Sequence, residues 1–371
     1  MTQVNLPAHR SLPVALDAMG GDFGVLVTVE GAVLAARELH TDVILVGDQL
    51  QIQSRLRDLG ASSNQNISIL HTPQSISMDE SPGLAVRRKA DSSMHKLFEL
   101  VRDGRAGSCV SAGNTGAFMG VGVMVSGVLP GVVRPPIASL IPNLKSKSPT
   151  VLLDVGANVD CHAYQLVQFA VMGSYYAASV LGQPNPRVAL LSNGAEHSKG
   201  TDIIRSAAFT LSQLSKINFI GYVEGNDIGR SKADVIVCDG FAGNVLLKGI
   251  EGTVQLVLET IEQRSETSLL GKMGMWLARP SLRSVFESQL DPSSYGGAPL
   301  LGLNSTAVIC HGASTARGVM NGIRVARMLA DDGMVGKLSQ ALREMEIDES
   351  NRVQDGVWAR VGKRFNEFGQ R

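Results

Sequence analysis

The sequence predicts an α/β fold: a three-layer αβα sandwich on a mostly parallel sheet. Two observations carry this expectation. Short β-branched runs recur along the 371-residue chain, separated by segments of helix length, which is the pattern of strands covered by helices on both faces. Each run also leaves its apolar stretch at an acid, an amide, a histidine or a glycine, as strands do where they pass into loops.

The first run, PVALDAMGG (13–21), ends at Asp17 and passes into Gly20, Gly21, Asp22 and Gly24. Glycines let a backbone turn tightly and bring its N–H groups close to a ligand, and acids beside such a turn orient donors or substrate. The stretch therefore reads as a pocket turn for phosphate and an acyl group. DVILVGD (42–48) follows, exiting at Asp48, and then ISILH (67–71). SCVSAGN (108–114) leads through Gly113, Asn114, Thr115 and Gly116 into an apolar helix. Free backbone N–H groups at the positive end of a helix suit phosphate or an oxyanion, while a plain N-cap by Asn114 or Thr115 is the alternative. The next stretch, GVGVMVSGVLPGVV (120–133), is short, glycine-rich and broken by Pro130, so it reads as buried packing rather than a membrane span.

VLLDVGAN (151–158) repeats the design with Asp154, Gly156, Asn158 and Asp160. A metal is not expected there, because no further ligand follows at suitable spacing except His162. The adjacent Cys161 and His162 invite a thiolate–imidazole reading, which is set aside: sequence neighbours need not face each other, and a buried cysteine usually serves as a small hydrophobe. VALLSNG (188–194) exits at Asn193 and Gly194, followed by Glu196, His197 and Lys199. That ammonium suits phosphate and Glu196 could fix it or take a proton; an exposed Lys–Glu pair is the plain alternative. NFIGYVEGN (218–226) exits at Glu224, and DVIVCDGFAGN (234–244) at Asp239, Gly240, Gly243 and Asn244, with Lys248 on the same helix face as Asn244.

Between 265 and 297 the texture changes. Leu269, Leu270, Met273, Met275, Trp276 and Leu277 sit among Lys272, Arg279 and Arg283. This reads as an amphipathic helical hairpin that projects from the body, able to lie on a membrane or hold a partner, or as a hairpin buried in a dimer. AVICHGA (307–313) closes the series at His311, a possible acid or base or a structural histidine. If all these runs share one sheet, Asp17, Asp48, Asn114, Asp154, Asn193, Glu224, Asp239 and His311 lie at or past its carboxyl edge, where parallel sheets bind ligands. Their repetition points to one extended site, although any one of them can be a simple cap.

Composition limits the partners. Thirty-four basic against 34 acidic residues give a net charge of +0, so no global field draws the chain to nucleic acid or lipid. The four cysteines form no CxxC pair, which argues against a zinc ribbon or a disulfide framework and for a reducing compartment. MTQVNLPAHRSLP lacks the apolar core of a signal peptide. No G-x-G-x-x-G follows the first run, and no G-x-x-x-x-G-K-[ST], H-E-x-x-H or G-x-S-x-G occurs, so dinucleotide, triphosphatase, zincin and hydrolase chemistries lack their usual signals. The expected organisation is a disordered extension over 1–12, one α/β domain over 13–345 and a helical tail over 346–371.

Taken together, ALDAMGGDFG, SAGNTGAFM, LLDVGANVDC, EHSKG, DVIVCDGFAGNVLLK and YGGAPLLGL resemble, in order and spacing from about residue 13 to about 345, the bacterial phosphate acyltransferases of phospholipid synthesis, the PlsX family. The resemblance implies a fold similar to the isocitrate and isopropylmalate dehydrogenases and to phosphotransacetylase, in a homodimer. It implies that acyl-(acyl carrier protein) and inorganic phosphate give acyl phosphate and free carrier protein, with no cofactor and no metal. The product would feed a membrane glycerol-3-phosphate acyltransferase, which implies a cytoplasmic protein peripherally associated with the inner face of the cell membrane. The projecting region would make that contact through Leu269, Leu270, Lys272, Met275, Trp276 and Arg279.

Two departures from the family pattern are local: Val25 stands where proline is common, and acids near EHSKG are fewer, which weakens any mechanism needing a carboxylate at Ala195 or His197. Phosphate is expected among the Gly20–Gly21 turn, the Asn114–Thr115–Gly116 helix start and Lys199 or Lys248, with Asn158, Asn193 and Asn244 as further donors. Asp17, Asp22, Asp154 and Glu196 would shape the pocket, Asp239 is a catalytic candidate and His311 could protonate the departing thiolate. Carrier-protein contacts are expected from Arg264, Lys272, Arg279 and Arg283. Arg87, Arg88 and Lys89 are further candidates that read more simply as solvated charge. The rivals are a metal- and nicotinamide-dependent decarboxylating dehydrogenase on the same fold and a noncatalytic membrane scaffold.

Overall fold

The structure, a computed structural model, describes residues 11–143, 148–265, 272–278 and 296–353. The chain is α/β and mostly parallel, as its strand pattern predicts. The parallel strands divide between two sheets, however, rather than forming one. The first sheet is ordered β10-β11-β4-β1-β2-β3 and the second β5-β6-β9-β7-β8. In the first, β1 (Val14–Asp17), β2 (Val43–Gly47), β3 (Ile67–His71), β4 (Ser108–Ser111) and β11 (Ala307–Ile309) run parallel, with β10 (Ala298–Leu300) antiparallel at the edge. In the second, β6 (Thr150–Leu153), β7 (Val188–Leu191), β8 (Phe219–Val223) and β9 (Val235–Val237) run parallel, with β5 (Ala138–Ile141) antiparallel at the edge.

The two antiparallel strands were not anticipated, and they are where the sheets meet. Ile137 bridges Leu300, Val128 bridges Leu303, and Leu301 N–H donates to Pro136 C=O at 3.0 Å. Both strands are short, and β10 contains Pro299, which belongs on an edge because it cannot donate to a ladder.

The central strands are buried on both faces and alternate between two cores, whereas β3 and β8 at the outer edges are partly exposed. Val14 and Leu16 of β1 face α1 (Val25–Glu38) and the helix Ala316–Asp331, here α9, while Ala15 faces α4 (Ser93–Arg102) and α5 (Thr115–Ser126). Val235 and Val237 of β9 likewise face α6 (Ala163–Val180), and Ile236 turns to the opposite side with Ala242 and Leu246 of α8 (Gly240–Ser265). The core over α1, α6 and α9 contains residues from both sheets, so the carboxyl edges of the two sheets are held in one packed body.

α8 departs from this plan. Of its 26 residues only Gly240 and Gly243 are buried, and Phe241, Val245, Leu256, Val257 and Ile261 are exposed. The projecting element thus begins well before residue 265 and is a long helix leaving the body. A helical stretch covers 272–278, with Met273, Trp276 and Leu277 exposed. Leu269, Leu270, Arg279 and Arg283 lie outside the described residues, as does most of the expected N-terminal extension. The last helix among the described residues, α10 (Met334–Val353), enters the region expected to be a helical tail.

Candidate functional site

At the carboxyl end of β1 the chain turns through GGD because Asp17 holds it there. This carboxyl is buried: Oδ1 accepts Met19 N–H at 3.1 Å and Oδ2 accepts the Ser111 hydroxyl at 2.8 Å. Ser111 Oγ in turn accepts Gly113 N–H at 3.0 Å, so one carboxylate aligns the turn after β1 with the loop after β4. Burial pushes the Asp17 carboxyl above the ordinary range, and the Ser93 and Ser111 hydroxyls with the Met19 and Gly20 N–H groups oppose that shift. A Cβ on Gly20 would stand 2.8 Å from Asp17 Oδ2 and 2.9 Å from Gly113 N, and Gly21 has φ +90° with Gly312 C=O 3.0 Å from its Cβ position. Asp22 N–H donates to that same Gly312 carbonyl at 2.9 Å, which seats the turn against the loop after β11.

The loop after β4 opens α5. Asn114 is the N-cap: its Oδ1 accepts Ala117 N–H at 3.0 Å, and its Nδ2 donates to the carbonyls of Met78 at 2.9 Å and Glu80 at 3.2 Å. The side chain read as a phosphate donor is thus engaged by the protein on both its oxygen and its nitrogen. Thr115 and Gly116 form the first turn of α5, with Gly116 packed on Pro82, and the positive end of the helix faces the same edge as the GGD turn.

The second sheet presents a parallel construction. Asp154, fully buried, accepts from Ile137 N–H (3.0 Å), Gly156 N–H (3.2 Å) and Ala157 N–H (3.1 Å) at Oδ1, and from Asn158 N–H (2.7 Å) and Asn158 Nδ2 (2.8 Å) at Oδ2. Burial raises this carboxyl too, against the pull of its donors. Asn158 Nδ2 also donates to Pro135 C=O at 3.2 Å, so Asn158 is buried and structural. α8 begins in contact with this turn: Gly240 N–H donates to Asn158 C=O at 2.7 Å, and a Cβ on Gly243 would stand 1.9 Å from Asp154 C=O. Asp239 Oδ1 accepts Ala242 N–H at 2.8 Å, which makes this catalytic candidate the cap of α8. Asn244, exposed, lies beside Gly156.

One turn further along α8, Lys248 Nζ lies 3.4 Å from His311 Nε2 and 2.7 Å from Glu251 Oε2. The His311 contact is a polar link between the carboxyl edges of the two sheets. His311 Nδ1 accepts Ala313 N–H at 3.2 Å, which fixes the ring with Nε2 toward Lys248. The loop after β7 is built separately: Asn193 Oδ1 accepts Gly200 N–H at 2.9 Å, and the Lys199 stem and Glu196 carboxylate crowd Gly194. Lys199 and Glu196 therefore stand together at the exit of β7, whereas Lys248 stands at the junction with His311.

The remaining polar exits have local roles. Asp48 caps α2 (Gln49–Asp58) and Glu224 caps a short 3-10 turn. Cys161 Sγ points to Asn158 C=O at 3.5 Å, burial pushes its thiol up to about 12, and His162 opens α6 as its N-cap, an arrangement unsuited to a thiolate nucleophile. Lys89 forms a half-buried ion pair with Glu80 at 2.5 Å, which removes it from the solvated basic cluster. Among the described residues no group of three or more His, Cys, Asp or Glu converges as a metal site, and no helix is long and apolar enough to cross a membrane. Sequence reading missed Ser111, Gly312 and the 72–81 segment. Ser111 was detectable as the polar residue between Val110 and the glycine loop, whereas the other two matter only through contacts across the fold.

The profile of a family described as fatty acid synthesis protein matches residues 12–337. The chain is 47% identical over 353 residues to a phosphate acyltransferase from Vibrio campbellii, covering 94% of this chain and 98% of that one. It is 45% identical over 336 residues to a phosphate acyltransferase from Pelotomaculum thermopropionicum, covering 91% and 96%. Its fold is similar to that of a phosphotransacetylase from Streptococcus pyogenes, with TM-score 0.58 and 18% identity over 90% of this chain and 95% of that one.

Proposed function

The chain belongs to the fatty acid synthesis protein family and is a phosphate acyltransferase, and from that premise we propose how its own residues carry the reaction. The acyl donor is a long-chain acyl-(acyl carrier protein) and the acceptor is inorganic phosphate. A phosphate oxygen attacks the thioester carbonyl carbon, the carbonyl electrons move to oxygen, and the tetrahedral intermediate collapses with cleavage of the C–S bond. Acyl phosphate leaves, and the thiolate takes a proton to give free carrier protein. Phosphate is already an anionic nucleophile, so catalysis consists mainly of placing it and stabilising the oxyanion.

The observation that supports this reading best is the meeting of the two carboxyl edges at Lys248 and His311. We assign phosphate to the space bounded by the Gly20–Gly21 turn, the start of α5 and Lys248, with Asn244 as a neutral donor and Lys199 more remote. Asp17 and Asp154 shape the backbone of the two edges and do not touch substrate. His311, whose Nε2 faces the junction beside Lys248, is assigned to supply the proton to the leaving thiolate. The protein acts as a homodimer at the inner face of the membrane, with the exposed apolar residues of α8 and of 272–278 supplying contacts, and its product passes to a membrane glycerol-3-phosphate acyltransferase.

The test measures release of carrier-protein thiol from a palmitoyl carrier protein with phosphate and no nucleotide. Saturation with phosphate and a hydroxylamine-trappable acyl phosphate are expected. Thiol release that ignores phosphate would overturn the reading.

A further inference from the structure

Three of the predicted loops meet a fourth segment, TPQSISMDES (72–81), which crosses the carboxyl edge of the first sheet between β3 and α3 (Pro82–Arg88). It is bound tightly for a loop. Asn114 Nδ2 holds the carbonyls of Met78 and Glu80. Glu80 Oε1 accepts Ser77 N–H at 2.9 Å and the Ser77 hydroxyl at 3.1 Å, and it pairs with Lys89 Nζ, which also donates to Ser75 C=O at 2.8 Å. The Lys89 ammonium and the Ser77 donors hold the Glu80 carboxyl below the ordinary range, so this clamp is closed at neutral pH.

The clamp presents one apolar side chain to the site. Met78 is 39% exposed, and its Cε lies 2.9 Å from the Cβ position of Gly312. Gly312 follows His311 and its carbonyl holds Asp22, so the Met78 thioether lies beside the loops after β1 and β11, while its own backbone is fixed by the cap of α5. The reaction joins an apolar chain to an anion, and its site needs a surface for each. The polar surface is built from glycine turns and a helix start. Beside it stands a flexible, polarizable side chain of the kind that adapts to apolar ligands.

We propose that Met78 is a specificity-determining residue against which the first carbons of the acyl chain pack, and that Lys89, acting through Glu80, is its positioning residue. The proposal rests on the acyl-transfer reading above and adds to it the residue that discriminates the donor.

The test compares kcat/KM for palmitoyl and acetyl thioesters of acyl carrier protein, because the acetyl group lacks the chain carbons that would reach Met78. Met78→Ser lowers the palmitoyl-to-acetyl ratio about tenfold, the scale on which apolar contacts discriminate substrates, and Met78→Leu holds it within about threefold of the parent. Lys89→Gln lowers the same ratio and Lys89→Arg preserves it, a rescue that packing alone does not require. A fall of equal size for both donors, with the ratio unmoved, overturns the proposal and leaves the acyltransferase reading standing. A parent enzyme that forms acyl phosphate from neither donor overturns both.

Discussion

Asp17 and Asp154 occupy the same place in two βα units, each buried at the carboxyl end of a strand, and yet they are built to different ends. Asp154 accepts five hydrogen bonds, four of them from its own turn and one from Ile137 at the adjoining edge strand. Asp17 accepts one from its own turn and one from Ser111, whose hydroxyl relays the alignment to Gly113. The first carboxylate makes a closed scaffold on which α8 rests. The second makes a link across strands, so that the alignment of two glycine loops depends on it. Damage at Asp154 therefore falls on stability first, and damage at Asp17 falls on the geometry of the site.

Asp154→Ala tests the first half of this contrast and carries the largest expected effect. Five donors lose their acceptor in a fully buried turn, so the unfolding free energy falls by about 3–5 kcal/mol. Urea denaturation reads it directly, and a loss below about 1 kcal/mol would mean that the turn holds without its carboxylate. Asp17→Ala is expected to cost about 2 kcal/mol, since fewer donors are orphaned. Its turnover falls about a hundredfold, beyond what the stability loss explains, because the two loops lose register. Equal stability losses in the two variants, with no excess effect on turnover at Asp17, would erase the distinction.

Lys248→Met sharpens the contrast from a third direction. Its side chain is 51% exposed and its ion pair with Glu251 is a surface pair, so stability changes by less than about 0.5 kcal/mol. If it faces phosphate across the junction, kcat/KM for phosphate falls about tenfold or more. Unchanged phosphate kinetics would move the phosphate site toward Lys199 at the exit of β7.

Much of this contrast was legible in the sequence, and the part that was not has a physical cause. The runs around Asp17 and Asp154 announce both turns, because a buried strand followed by an acid and glycines has few other uses. The division into two sheets was hidden: strand order is decided by long-range pairing, and the strands at the seam, β5 and β10, are short and antiparallel. Asp239 reads in a string of letters as a catalytic candidate and Asn114 as a phosphate donor or a plain cap, and in the fold both cap helices, an ambiguity inherent in Asp and Asn at strand exits. The 72–81 segment carries no glycine motif at all. Its importance comes from Asn114, Lys89 and Gly312, which lie apart from it along the chain and meet it only in the fold.

Asp17→Asn isolates the smallest and most discriminating effect. The amide keeps both links: its oxygen can accept Met19 N–H, and its nitrogen can donate to Ser111 Oγ, which has a second lone pair while accepting Gly113 N–H. Stability at neutral pH should then stay within about 1 kcal/mol of the parent. The pH dependence separates the two proteins further. Burial raises the Asp17 carboxyl above its unfolded range, so the native state favours the protonated acid. That advantage is fully present below the unfolded pKa and is lost as pH rises through the folded value. The parent should therefore lose stability relative to Asp17→Asn as pH rises from about 4 toward neutrality. Denaturation curves at several pH values check it. A gap that widens in favour of the parent as pH rises would mean that the donors around Asp17 outweigh its burial and that it works as a stabilised carboxylate.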